Sequence, residues 1–370
     1  MDSHFINTIE INNFKCFQNF KAEGFGRVNL IGGKNNVGKT AFMEACFLSQ
    51  SNDTTNLFER LLEIKTHRDV VNNLLLTSHR EEDLQKLIKD NIGISIYIQG
   101  QGGHEVQELK DSSGSIIDER YATWENGLVK IEFDKILNIY TKYTKINEEP
   151  PSFDFDTGEP VYSSSPDRYT ISELVGLLDM AFDSTKARFS LNFISPYSNS
   201  NQELENIIGQ SKLDNKYDEL NKYLLVTFGV APIDIIKNKP MLKEGNAYKD
   251  LSYYGQGIKT FINIISSILL LKDDQIFIDE IENSIHYTHL DKLWELILTI
   301  SKDQNVQVFA TTHSKECIES FNRVQRQLED KETYYFEMYK NIKDNKIEMR
   351  SLEDEQLAYE LSHEGRLRGE

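Results

Sequence analysis

Cysteine is scarce in this chain: Cys16, Cys46 and Cys317 are the only three among 370 residues, an odd number without a C-x-x-C spacing. That argues against a disulfide framework and a cysteine zinc site, and the three read as reduced, mostly buried thiols. Long apolar runs are also missing. No stretch approaches the roughly 20 apolar residues needed to span a bilayer. Met1-Asp2-Ser3-His4 carries an acid and no basic region leading into an apolar one, so the expectation is a cytoplasmic chain with no membrane segment and no secretory signal. Positive charge is in deficit, 41 Lys and Arg against 59 Asp and Glu, for a net charge of −18. Broad attraction to nucleic acid needs clustered cations that displace counterions, so any DNA contact must be local or made by a partner. Proline is sparse, and four of the seven prolines fall between positions 148 and 166, beside three consecutive serines and several acids. That stretch reads as a surface loop.

What is present is an ordinary globular composition, 27 % charged and 39 % hydrophobic, in a chain longer than one compact core usually needs. Two lobes, or a core with a large insertion, are expected. Residues 6–11 and 14–20 read as a β-hairpin feeding a buried strand, Val28-Asn29-Leu30-Ile31, which ends in a Gly-rich turn. Phe42, Met43, Cys46 and Phe47 then form one apolar stripe of a helix. Residues 55–91 look helical. Ile92, Ile94, Ile96 and Ile98 alternate with Gly93, Ser95, Tyr97 and Gln99, the period of a half-buried strand, and further strand-like runs at 105–109 and 128–136 suggest an antiparallel sheet. A helix is expected at 171–182, a strand at 189–194 and a helical arm at 202–227. After short strands near 233–236, 241–242 and 248 come a long apolar helix (259–271), a buried strand (275–278), a helix (289–300), a second buried strand (306–310), a helix (315–321) and a terminal hairpin.

Chemistry concentrates at four places. Gly33-Lys34-Asn35-Asn36-Val37-Gly38-Lys39-Thr40 matches G-x-x-x-x-G-K-[ST], and it lies between a buried strand and a helix, as the pattern requires. Its glycines let the backbone curl so that N–H groups face a phosphate, with the helix start adding positive potential. Lys39 should reach the β- and γ-phosphates of ATP, with Asn35 and Asn36 in the cradle and the Thr40 hydroxyl on Mg²⁺. The strand Gln275-Ile276-Phe277-Ile278 ends in Asp279-Glu280. Acids at a strand end often cap the next helix, but beside a phosphate loop Asp279 suits the Mg²⁺ shell and Glu280 suits orienting or deprotonating the attacking water. A second strand ends at Thr311-Thr312-His313, where His313 should contact the γ-phosphate and the water. Finally, Leu251-Ser252-Tyr253-Tyr254-Gly255-Gln256-Gly257 opens a helix with a Ser and two glycines, a second anion-facing helix start. Two such starts in one chain point to a site shared across a dimer.

These motifs, in the order phosphate loop, Ser-Gly loop, Asp-Glu strand and His strand, resemble the ABC-type ATPases outside the transporters: the SMC, RecF and OLD (overcoming lysogenization defect) families. The run from Ile9 to Lys15, the phosphate loop, and Ile278-Asp279-Glu280-Ile281-Glu282-Asn283-Ser284-Ile285-His286 look specifically like RecF and OLD proteins. The resemblance implies an α/β, ABC-type ATPase fold with a mixed central sheet, an antiparallel N-terminal lobe and a helical arm insertion. It divides the chain into an N-terminal ATPase lobe (1–198), a helical arm or dimerisation insertion (199–230) and a C-terminal lobe (231–370). It also implies a head-to-tail homodimer in which Ser252, Gly255 and Gly257 of one copy act on ATP held by the phosphate loop of the other, higher oligomers being open. Tyr253-Tyr254 depart from the usual signature, and for the glutamine-bearing loop only Gln50 and Gln99 offer themselves.

Spacing separates the relatives. Thr40 and Ser252 lie 212 residues apart, whereas a transporter ATPase has roughly half of that and an SMC protein inserts hundreds of heptad residues. OLD nucleases add a TOPRIM domain, and the 57 residues after His313 are too few for one. The resemblance therefore implies a stand-alone OLD-like ATPase, such as the slow ATPase subunit of a two-gene anti-phage defence system, whose partner is a nuclease or toxin from a neighbouring gene, a TOPRIM nuclease being one candidate. A RecF/SMC-like DNA-repair ATPase and an ATP-binding scaffold with little turnover are the competing readings.

Overall fold

A computed structural model of the chain describes residues 5–50, 60, 64, 95–99, 108–110, 116–119, 128–132, 152–153, 160–161, 191–196, 200–341 and 343–363. In chain order the strands are β1 (Thr8–Phe14), β2 (Phe17–Glu23), β3 (Val28–Gly33), β4 (Ser95–Gln99), β5 (Glu108–Lys110), β6 (Ile116–Glu119), β7 (Leu128–Glu132), β8 (Ser152–Phe153), β9 (Pro160–Val161), β10 (Phe193–Ile194), β11 (Ile233–Ile235), β12 (Pro240–Glu244), β13 (Ala247–Asp250), β14 (Gln275–Ile278), β15 (Gln307–Thr311), β16 (Thr333–Lys340) and β17 (Ile347–Leu352). The helices are α1 (Lys39–Ser49), α2 (Asn201–Leu213), α3 (Tyr217–Phe228), α4 (Gln256–Leu270), α5 (Leu290–Gln304), α6 (Lys315–Gln327) and α7 (Asp354–Ser362).

Two sheets carry the architecture. The central one has the order β10-β14-β15-β3-β16-β17, parallel throughout except for the antiparallel edge strand β17. This is the mixed sheet expected from the sequence. The second, β2-β1-β4-β7, is antiparallel, with Ile9 opposite Ile98 and Ile11 opposite Ile96.

Alternation along the central strands sorts the core into two chemically distinct layers. Phe277 and Phe309 lie in register on adjacent strands, their rings stacked at 5.5 Å, and meet Phe25, Phe336 and the α1 residues Phe42 and Phe47 on one face. Ile276, Ile278, Val308 and Ala310 point the other way, into a mainly aliphatic layer shared with α2 to α6, which also holds Phe261, Trp294 and Phe321. Thus α1 covers one face of the sheet and α4 the opposite one.

Several sequence expectations are revised. The arm at 202–227 is two helices packed on α4, broken where Asp214 ends the first and Asn215 takes a left-handed φ of 57°. A capping box starts α2, Ser200 accepting from the Glu203 N–H and Glu203 accepting from the Ser200 N–H. Leu204, Ile207, Ile208, Leu220 and Leu224 are buried in the common core. The terminal hairpin is not an appendage, because β16 pairs in parallel with β3 and so joins the central sheet. Helix α7 was not anticipated. Cys46 and Cys317 are buried as expected, but Cys16 sits exposed on the β1–β2 turn. Within the expected proline-rich loop, β8 and β9 pair with each other. The helices expected at 55–91 and 171–182 lie almost wholly outside the described residues, apart from the helical positions Arg60 and Ile64.

Candidate active site

The carboxyl ends of β3, β14 and β15 lie side by side, the usual place for a ligand in a parallel sheet. The sequence puts a different chemistry on each. β3 runs into the phosphate loop, β14 into Asp279-Glu280 and β15 into Thr312-His313.

The loop geometry depends on two glycines. Gly33 has φ 135°, and a side chain there would collide with the main-chain carbonyl of Met338 on β16. Gly38 has φ 95° and directly precedes α1; a Cβ would come within 2.7 Å of Cys16 Sγ. Asn36 also takes a left-handed φ, 62°. Asn35 and Asn36 are exposed on the loop, and α1 starts without a side-chain cap, so its first N–H groups are available to an anion. The Lys39 side chain is buried and folds back into the loop, donating to the carbonyl oxygens of Gly33 (2.7 Å) and Lys34 (2.8 Å). Burial lowers its pKa to about 8, against the opposing pull of Asp279, Glu282 and Glu280.

The acids of β14 are placed by β15. Asp279 is buried and accepts from both sides: Thr40 Oγ1 donates to Oδ2 at 2.9 Å and Thr311 Oγ1 to Oδ1 at 2.5 Å. This brings together the two residues expected to hold Mg²⁺. Glu280 turns sharply away from the strand with φ 50°, its N–H donating to Thr311 Oγ1 at 2.9 Å. Its carboxyl pKa is raised, chiefly by desolvation and then by Asp279 and Glu282. His313 bridges the two halves, with Nδ1 3.2 Å from Lys39 Nζ and Nε2 3.9 Å from Glu280 Oε1. An ammonium can only donate, so Nδ1 accepts and the neutral ring carries its proton on Nε2, facing Glu280. Desolvation, reinforced by Lys39, keeps the imidazole pKa below its ordinary value and the ring neutral near pH 7.

Lys39, Thr40, Asp279, Glu280 and His313 therefore converge within one chain. Ser252, Gly255 and Gly257 do not join them, since α4 packs on the other face of the sheet. The Ser252 N–H and hydroxyl both bond Asp250 Oδ1, at 2.9 and 2.7 Å. Gly255 has φ 79° and ψ 177°, a conformation nearly confined to glycine, and nothing lies within 4 Å of where its Cβ would be. Gly257 is required by close packing, because a Cβ would strike the carbonyl of Ser284.

Sequence reasoning missed Thr311, which positions Asp279 and Glu280 together, and placed Glu282 only by resemblance, with Asn283 and His286, in a segment along the dimer seam. No local signal names Thr311: its place beside Asp279 follows from the parallel pairing of β14 with β15, in which Ile278 lies opposite Ala310. Gln50 is displaced from consideration. It caps the far end of α1 and bonds Gln275, the first residue of β14, at the amino end of that strand and so away from the site. Gln99 ends β4 in the antiparallel sheet, opposite Thr8. No helix among the described residues is long and apolar enough to cross a membrane.

A family model described as an AAA ATPase domain matches residues 5–170 and 170–318. A Helicobacter pylori protein named ATP/GTP phosphatase is 25 % identical over 338 residues, spanning 87 % of this chain and 89 % of its own. Among solved structures, the SMC head domain from Thermotoga maritima aligns at TM-score 0.44 and 11 % identity, over 94 % of this chain and 99 % of that one. An SMC head bound to the C-winged helix domain of ScpA aligns at TM-score 0.47 and 14 % identity, over 94 % and 98 %.

Proposed function

The chain belongs to the AAA ATPase domain family and is an ATPase, and from that premise we propose that its ATP is held by residues 33–40 of one copy and enclosed by Ser252, Gly255 and Gly257 of a second. The observation that carries this reading is the convergence of Lys39, Thr40, Asp279, Glu280 and His313 at the ends of three adjacent parallel strands. A hydroxyl and a carboxylate are the hard oxygen donors that suit Mg²⁺, with phosphate oxygens and water completing its shell. Bound there, Mg²⁺ would offset charge on the β- and γ-phosphates.

The chain's own residues supply the rest. Lys39 exchanges its contacts with the Gly33 and Lys34 carbonyls for phosphate oxygens, which are stronger, charge-assisted acceptors. Glu280, with its raised pKa, accepts a proton from the attacking water more readily than an ordinary carboxylate. His313 donates from Nε2 to that water or to the γ-phosphate while Lys39 fixes its tautomer. Replacing Glu280 by Gln keeps the shape and removes the base. The variant should bind ATP as the wild type does, lose about 100-fold or more in turnover, and accumulate as an ATP-bound dimer by light scattering. Wild-type turnover in Glu280→Gln would refute the base assignment, and a monomer at saturating ATP would refute the composite site. The Helicobacter relative's name makes GTP the second nucleotide to assay.

We further infer that this ATPase controls a separately encoded effector, a nuclease or toxin of a phage-defence system. The net charge of −18 favours that over a DNA-repair ATPase of RecF/SMC type, whose duplex-binding surface would be basic. Salt-sensitive, ATP-dependent DNA binding by the purified chain would reverse the preference. Co-purification of a neighbouring gene product, without DNA binding, would support it.

A further inference from the structure

We propose that Glu282 is a positioning residue for the hydrolytic step, holding His313 against Lys39 and Glu280. His313 lies in the irregular link between β15 and α6. The neighbouring main-chain donors there have other partners: the Thr312 N–H bonds the Ile31 carbonyl on the adjacent strand β3 and the Ser314 N–H bonds the nearby Thr312 Oγ1. The His313 N–H instead donates to a side chain 31 residues away, Glu282 Oε1, at 2.8 Å. That is the main-chain bond that fixes where the imidazole starts.

Glu282 is itself rigidly supplied. The Ile281 N–H bonds the Thr311 carbonyl at 3.0 Å and the Ile281 side chain is fully buried. The Asn283 N–H closes a turn onto the Glu280 carbonyl at 2.8 Å, and the Ile285 N–H closes another onto the Glu282 carbonyl at 3.0 Å. Glu280 and Glu282 therefore sit on one tight double turn, and a displacement of either is felt by the other and by His313. The second carboxylate oxygen, Oε2, is buried and has no hydrogen-bond partner among the described residues. Leaving a buried carboxylate oxygen unmatched is unfavourable; a leucine would avoid it but would leave the His313 N–H without its acceptor. A carboxylate is retained where only one of its oxygens has structural work, beside a site with a lysine and a histidine. That is the arrangement expected of a group placed for its acceptor geometry rather than for packing.

This rests on the ATPase reading of the same site, and the test separates the two. Steady-state ATP hydrolysis is measured for wild type, Lys39→Ala, His313→Ala, Glu282→Ala, Glu282→Gln and the double variant Glu282→Ala/His313→Ala, with thermal unfolding run on each. Activity in the wild type that Lys39→Ala removes establishes the site. Given that, Glu282→Ala should lower kcat about as far as His313→Ala does, with KM for ATP changed less than about threefold. The double variant should be no worse than His313→Ala alone, because residues acting through one another are not additive. Glu282→Gln keeps an acceptor oxygen for the His313 N–H and should recover at least about tenfold of the activity lost in Glu282→Ala. Multiplicative losses in the double variant, or a loss carried in KM, would overturn the proposal. Should Glu282→Ala fail to fold, Glu282→Gln decides alone: kcat within about threefold of wild type supports positioning through the acceptor, and kcat as low as His313→Ala overturns it.

Discussion

Helices α1 and α4 begin alike: each follows a glycine of positive φ, Gly38 at 95° and Gly255 at 79°, and neither has a side-chain cap over its first N–H groups. Their surroundings differ. Around the α1 start the fold gathers Lys39, Thr40, Asp279 and His313, with Lys39 against His313 and Thr40 bonded to Asp279. Around the α4 start, Ser252 is exposed and its hydroxyl and N–H bond the nearby Asp250, Tyr253 is 80 % exposed, and the space beside Gly255 is open among the described residues. An anion at the first start meets charges oriented before it arrives, which is what makes such a site effective. The second start offers main-chain dipoles and a hydroxyl. One chain thus carries a helix start with prepared charges around it and another without them.

The largest effect that would sharpen this contrast is at Lys39. Lys39→Met removes the charge and keeps most of the buried stem, so ATP affinity should fall about 100-fold, in line with the ~1.5–3 kcal/mol of a charged hydrogen bond. The same substitution should not destabilise the protein. A pKa held near 8 rather than 10.5 means that burial works against the ammonium by about 3 kcal/mol at neutral pH, and Met escapes that cost. A lower melting temperature in Lys39→Met, measured without nucleotide, would contradict the account of the site as a destabilised, preorganised one.

Next in size is a pair of glycine substitutions, one at each start. Gly33→Ala forces a Cβ against the Met338 carbonyl between β3 and β16 and strains a φ of 135°, for a loss of about 2–6 kcal/mol together with ATP binding. Gly255→Ala meets nothing and should lose only the ~1–3 kcal/mol of its backbone conformation. Its isolated chain should bind ATP normally while turnover falls at every protein concentration. Equal loss of ATP binding in both variants would put the two starts on one site within a single chain.

The contrast was only partly legible in the sequence. The phosphate loop and Asp279-Glu280 could be read because fixed glycines, a lysine and acids follow uniformly buried strands, and that chemistry leaves few alternatives. Thr311 and Glu282 could not, because their roles lie in bonds across 31 or 32 residues to partners that no local pattern names. Parallel pairing of β16 with β3 was hidden for the same reason: the hairpin β16–β17 is local and visible, whereas adding it to the central sheet is a long-range event. The break between α2 and α3 was obscured because Leu213 and Tyr217 continue the apolar spacing across it, and Leu213 in fact ends 76 % exposed.

The smallest effect is a titration that should belong to the α1 start alone. In the unliganded protein Lys39 loses its proton as pH rises through about 8, because burial has lowered its pKa. ATP phosphates favour the charged form, so above that pH binding must take up a proton. Affinity measured in EDTA, with no divalent cation to mask the lysine, should be level below about pH 7 and then fall by up to tenfold per pH unit. Lys39→Met should flatten the curve at its lower level. At the α4 start, the bonds from Ser252 hold the Asp250 pKa below the usual carboxylate value, so that acid is ionised throughout this range and adds no slope. A wild-type affinity unchanged between about pH 7 and 9.5 would mean that Lys39 keeps its proton through that range, and the difference in electrostatic preparation between the two helix starts would then have to be carried by Asp279 and His313.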